Sequence, residues 1–110
     1  MAKMPWYPRD FASSTRGWPL AARGIYRELL DAQWDMGSLP EDPQHLRSIA
    51  VATPAEWRVA WPFVEHKFPL VEAGRRRNPR LETHRTKAIQ LVEKHRKGAT
   101  TTNLQRYGKH

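Results

Sequence analysis

Thr53 to Arg80 reads TPAEWRVAWPFVEHKFPLVEAGRRRNPR and passes from helix to hairpin and back to helix. Thr53-Pro54-Ala55-Glu56 is a capping box. The Thr hydroxyl and the Glu carboxylate each accept a hydrogen bond from the other residue's backbone amide, and Pro at the first helical position presets the backbone angle. Behind it Trp57, Ala60, Trp61 and Val64 fall on one helical face, and Pro62 is expected to bend the helix near its middle. Phe68 to Val71 is a short apolar run, Ala73-Gly74 a turn, and Arg75-Arg76-Arg77 a second extended piece, together a wing-sized hairpin. Asn78-Pro79 then caps another helix.

The same signals extend upstream. Trp18-Pro19 opens a helix to about Met36 with Ala22, Ile25, Tyr26, Leu29, Leu30 and Trp34 at three-and-four spacing. Arg23, Arg27, Asp31 and Asp35 line its other side, and Gly37 stops it. Asp42-Pro43 starts a short helix through Leu46 and Ile49 to about Ala50. Downstream, the helix after Asn78 is expected to run to Lys97 and stop at Gly98, with Leu81, His84, Ala88, Leu91, Val92 and His95 on one stripe. The predicted fold is therefore mainly α with a small β-hairpin, winged-helix-like, with three helices, a wing and a long C-terminal helix. A three-helix bundle with an appended hairpin has the same order. The expected organisation is a winged-helix-like domain over residues 1–79, a basic C-terminal helix over 80–97 and a flexible basic tail over 98–110. Trp34 and Trp57 are the expected core anchors.

Charge is divided unevenly. Up to Lys67 eight Lys/Arg face eight Asp/Glu, whereas from Phe68 onward eleven face three, so the whole net charge of +8 lies in the last third. A neutral body with a polycationic end implies an anionic partner, DNA above all. The absence of Cys excludes disulfide scaffolds, thiolate metal sites and cysteine nucleophiles. The start of the chain, MAKMPWYPRDF, lacks the apolar run of a signal peptide, and no window has the length of a membrane span. The expectation is a cytoplasmic protein with no membrane partner.

Arg75, Arg76, Arg77 and Arg80 place four cations within six positions, enough to meet successive phosphates. On a solvent-exposed wing, reversing Arg75 and Arg77 to Glu should weaken DNA binding and leave melting unchanged. Arg80, Lys87 and Lys94 recur every seventh residue along a helix roughly 27 Å long at ~1.5 Å per residue. Arg58 and Lys67 belong to the Thr53 helix and its end, beside Glu56 and Glu65, which repel phosphates. The stripe of the last helix approximates heptad positions and offers a homodimer contact. Trp6, Tyr7 and Phe11 are expected to pack on the core. The His spacings fit no metal, Ser13-Ser14-Thr15 has no His and Asp arrangement beside it, and the glycines form no phosphate loop. No enzyme activity, catalytic residue, metal or cofactor is therefore expected.

Trp6-Tyr7-Pro8-Arg9-Asp10-Phe11, the run from Gly24-Ile25-Tyr26 to Gln33-Trp34, and Gly37-Ser38-Leu39-Pro40 resemble the YdaU-like family of uncharacterised phage and prophage proteins. The likeness continues through Trp57, Phe68, Ala73-Gly74-Arg75 and Arg80-Leu81-Glu82. Pro19, where a Ser cap is commoner, and Arg76, where an aromatic is expected, depart from it. The resemblance implies a place in a replication module, near origin recognition or helicase recruitment, with a phage or host replication protein as a further partner. It brings no catalytic residue. The rival readings are a protein-interaction or oligomerisation module, and a phage-encoded regulator or inhibitor of a host protein.

Overall fold

The computed structural model describes residues 4–108, with side chains through Arg96. Its elements are α1 (Pro8–Ser14), α2 (Leu20–Met36), β1 (Leu39–Pro40), α3 (Pro43–Ala50), α4 (Pro54–Val64), a 3-10 turn (Glu65–Lys67), β2 (Leu70–Glu72), β3 (Arg75–Arg76) and α5 (Pro79–Gly108). The protein is mainly helical with a small antiparallel sheet, as its periodicity implies.

The starts of α3, α4 and α5 follow from their caps. Asp42 accepts from the Gln44 amide. Thr53 and Glu56 form the reciprocal box, at 2.8 and 3.1 Å. Asn78 Oδ1 accepts from the Leu81 amide at 3.0 Å. Those bonds satisfy amides that the first helical turn leaves without partners. The bond from the Thr53 backbone, then its hydroxyl, holds the Glu56 carboxyl below the usual range.

α2 is the central helix. Ala22, Ile25, Tyr26, Leu29, Leu30, Gln33 and Trp34 are buried along one stripe of it. It packs chiefly on α4, then on α3 and α5. Trp57 stacks on Trp61 at 5.0 Å, and Phe68, fully buried, closes the core beneath the ring of Tyr26. Both expected anchors, Trp34 and Trp57, are buried.

Three features differ from the sequence expectation. The N-terminal aromatic segment contains a further helix, α1, which buries no residue and has no side-chain cap. β1 pairs with β3, so the hairpin is part of a sheet ordered β1-β3-β2. Pro40 fits there because an edge strand has a side that needs no amide donor. Finally, α5 passes Gly98 and ends at Gly108; one interior Gly costs a helix only ~1 kcal/mol, less than a break requires. Leu81, in the first turns of α5, joins the core.

Val51 ends α3 in the left-handed region, at φ 54°, with its side chain 86% exposed. A β-branched residue there carries about 1–2 kcal/mol of strain. Val51→Gly is therefore expected to stabilise the chain by about 1 kcal/mol, read as a rise in urea midpoint. An unchanged or lower midpoint would show that the strain is relieved elsewhere.

Candidate nucleic-acid interface

The arginine run of the hairpin does not lie free in solvent. Arg75 donates through Nε to Ser38 Oγ at 2.8 Å and through Nη2 to the Ser38 carbonyl at 3.0 Å. Arg76 donates to the carbonyls of Glu41 and Phe68, at 2.9 and 3.1 Å, with its guanidinium 5.4 Å from the Trp61 ring centre. Arg77 donates to the Gly37 carbonyl at 3.2 Å and pairs with Glu72 at 2.8 Å. All three side chains are half-buried. Arg80 is more exposed but is tied to Asp10 of α1.

Arg85, which sequence reasoning did not single out, completes the arrangement. Its Nε donates to the Trp34 carbonyl at 2.8 Å, and its guanidinium lies 3.4 Å from where a Cβ on Gly37 would stand. Gly37 is at φ 87°, so its backbone conformation favours glycine there. Arg75, Arg77 and Arg85 thus converge on the C-terminal end of α2, the negative end of the helix dipole, whose own last turn contains no base. Cations donating to terminal carbonyls stabilise a helix end. Reversing Arg75 and Arg77 would place two carboxylates there, so the expectation of unchanged melting does not hold.

The remaining sequence candidates divide in two. Lys67 is half-buried, with its ammonium 6.0 Å from the Trp18 ring centre. Arg58, Lys87 and Lys94 are exposed and make no ion pair among the described residues. Arg58 lies in a groove between α3 and α4 together with Gln44, Arg47, Pro54, Trp57 and Trp61. Arg47 there donates to the Ala52 carbonyl at 3.1 Å. Lys87 and Lys94 continue along α5 from Arg80.

Of Trp6, Tyr7 and Phe11, only Phe11 packs against the core as expected; Trp6 and Tyr7 are exposed and make ring contacts at its edge. Phe11 stacks on Tyr26 at 5.5 Å, Tyr7 on His84 at 5.0 Å, and Trp6 lies against Phe11 at 4.9 Å with the Arg27 guanidinium 3.9 Å from its ring centre.

A buried polar network beside the core was read from sequence only as a helix cap. Gln33, fully buried, accepts from the Asn78 amide at 2.6 Å and donates to the Asn78 carbonyl at 3.1 Å. Asn78 Nδ2 donates to the Lys67 carbonyl at 2.9 Å and to the Tyr26 hydroxyl at 3.4 Å. Burial raises the Tyr26 phenol above its ordinary value, opposed by the Asn78 bond and by the charge of Arg80. The network fixes where α5 leaves the body, and with it the direction of Lys87 and Lys94.

No helix among the described residues is long and apolar enough to cross a membrane. A family model described as "Protein of unknown function (DUF1376)" matches residues 4–84, from the N-terminal aromatics through the first turns of α5. No curated protein and no solved structure matches the chain.

Proposed function

The chain belongs to DUF1376, a family of proteins of unknown function, and from that footing we propose that it is a nucleic-acid-binding domain of winged-helix type that holds duplex DNA mainly through phosphates. The observation that carries this reading is the order α2, β1, α3, α4, β2, β3, with β3 lying between β1 and β2 in the sheet. This order supports a winged helix, with α4 as the helix offered to the major groove and the β2–β3 turn as the wing beside it.

Charge supports the same placement. Arg58 projects from α4, and Lys87 and Lys94 line α5 without protein partners among the described residues. The wing arginines contribute in a second way. Each keeps one terminal nitrogen outside its internal bonds, so a phosphate would meet a guanidinium already held in place. On α4 Arg58 stands between Glu56 and Glu65, which favours backbone contact over base reading.

The resemblance to YdaU-like phage and prophage proteins supports work in a cytoplasmic replication module, near origin recognition or helicase recruitment. The partner there is a phage or host replication protein.

Fluorescence anisotropy with a labelled duplex tests the reading. Log K is expected to fall against log salt with a slope of roughly −4 to −6, for about five phosphates at ~0.9 each. Affinity should differ little between duplexes of different sequence. A flat salt response, or no binding at low salt, would overturn the proposal and favour a protein-interaction module.

A further inference from the structure

Gly24 lies in the N-terminal part of α2, inside the helix, and a Cβ built there meets nothing within 4 Å. An interior helical Gly costs ~1 kcal/mol against Ala, yet nothing in the fold needs the missing side chain. Across a groove from it stands Val51, strained and 86% exposed, and beside it Leu20, 77% exposed. These are the two most exposed large apolar side chains among the described residues. Glu28 and Glu56 line the same groove, and no base does.

The complementary surface is at the other end of the molecule. Beyond Ala88, α5 presents Ile89, Leu91 and Val92, each about half exposed, flanked by Lys87 and Lys94. Its acid in this stretch, Glu93, is held by Arg96. α5 cannot reach the groove of its own chain. It begins at Asn78 beside Tyr26 and Gln33, and at Arg85 it meets the Trp34 carbonyl. It therefore runs toward the C-terminal end of α2 and beyond, whereas Leu20 and Gly24 lie at the N-terminal end.

We infer that the groove formed by Leu20, Gly24 and Val51 receives the basic, apolar-faced half of α5 from a second copy, head to tail. Gly24 lets the incoming helix approach closely, and Glu28 and Glu56 face its lysines. A symmetric α5–α5 pair would set like charges together, because no unpaired acid lies among the described residues beyond Ala88. The donor and acceptor surfaces differ, so the contact is heterologous and builds a ring or an open chain according to the rotation between copies. This inference does not rest on the nucleic-acid reading.

The chain has no Cys, so single-cysteine variants report contacts cleanly. Gly24→Cys and Ile89→Cys, one of them carrying a mass tag, are mixed under mild oxidation. The expected product is the disulfide-linked mixed dimer, with little linkage in either variant alone. Linkage of Ile89→Cys to itself as readily as to Gly24→Cys would overturn the proposal, as would no linkage at all. Sedimentation velocity should show wild-type chains that associate with rising concentration and separate in salt. Gly24→Arg has open space for its side chain and should keep the wild-type circular dichroism while remaining monomeric. A wild type that is monomeric throughout, or a folded Gly24→Arg that associates like it, would equally overturn the head-to-tail contact.

Discussion

Gln33→Leu is expected to lower stability by about 2–5 kcal/mol, because it strands two buried backbone groups at ~1–3 kcal/mol each. Leu nearly conserves volume, so no large cavity adds to the effect. What is lost is the pair of bonds by which Gln33 accepts from the Asn78 amide and donates to its carbonyl. Against a domain total of about 5–15 kcal/mol this is a large fraction. In a domain of this size it corresponds to a fall of at least about 10 °C in Tm. The change reaches further than one residue. Asn78 also caps α5, ties the Lys67 carbonyl and meets the Tyr26 hydroxyl. Gln33→Glu is the informative companion, since its carboxylate can still accept from the Asn78 amide but cannot donate to the carbonyl unless protonated. It should melt between Leu and wild type and gain ground on acidification. A Gln33→Leu variant melting within a few degrees of the parent would show that this network does not hold α5 to the body.

What the sequence made legible was local. α3, α4 and α5 begin at an Asp, a Thr and an Asn each followed by Pro, and these signals depend on neighbours within four positions. α1 carries no such signal. It has no apolar period because it fully buries no residue and sets only Phe11, half-buried, against the core, and no cap because Tyr7 offers none. β1 is two residues long, too short for alternation to register. The arginines were visible as charge but not as donors, since most of their acceptors lie 35 to 40 residues away, at Ser38 and Glu41 on either side of β1 and at Gly37 after α2. One sign of that role was present: the last turn of α2 holds Asp35 and no base, leaving its carbonyl end to be served from elsewhere. Gln33 was missed, although its position carried a signal. It falls on the same helical stripe as Tyr26, Leu29 and Leu30, and a lone amide on an apolar stripe implies a buried partner.

These internal bonds decide how the interface must be probed. Arg58→Glu, Lys87→Glu and Lys94→Glu together should weaken duplex binding by orders of magnitude at low salt and flatten the salt slope by about three, at ~0.9 per lost phosphate contact. Melting should be nearly unchanged, because exposed charges without partners contribute little to stability. The matched control is Arg9→Glu, Arg16→Glu and Arg23→Glu, the same charge change at three other exposed positions. Equal losses in both triple variants would mean that binding follows net charge alone, and the docking through α4 and α5 would fail while DNA affinity survived. Arg75→Glu with Arg77→Glu cannot serve this purpose, since it removes donors to Ser38 and Gly37 and sets anions at the negative end of α2. Arg75→Lys with Arg77→Lys separates the two roles. Lysine keeps the charge but cannot reproduce the paired guanidinium bonds, so Tm should fall while the salt slope persists. If the lysine variant instead melts normally and loses affinity, the arginines act on DNA through their geometry rather than on the fold.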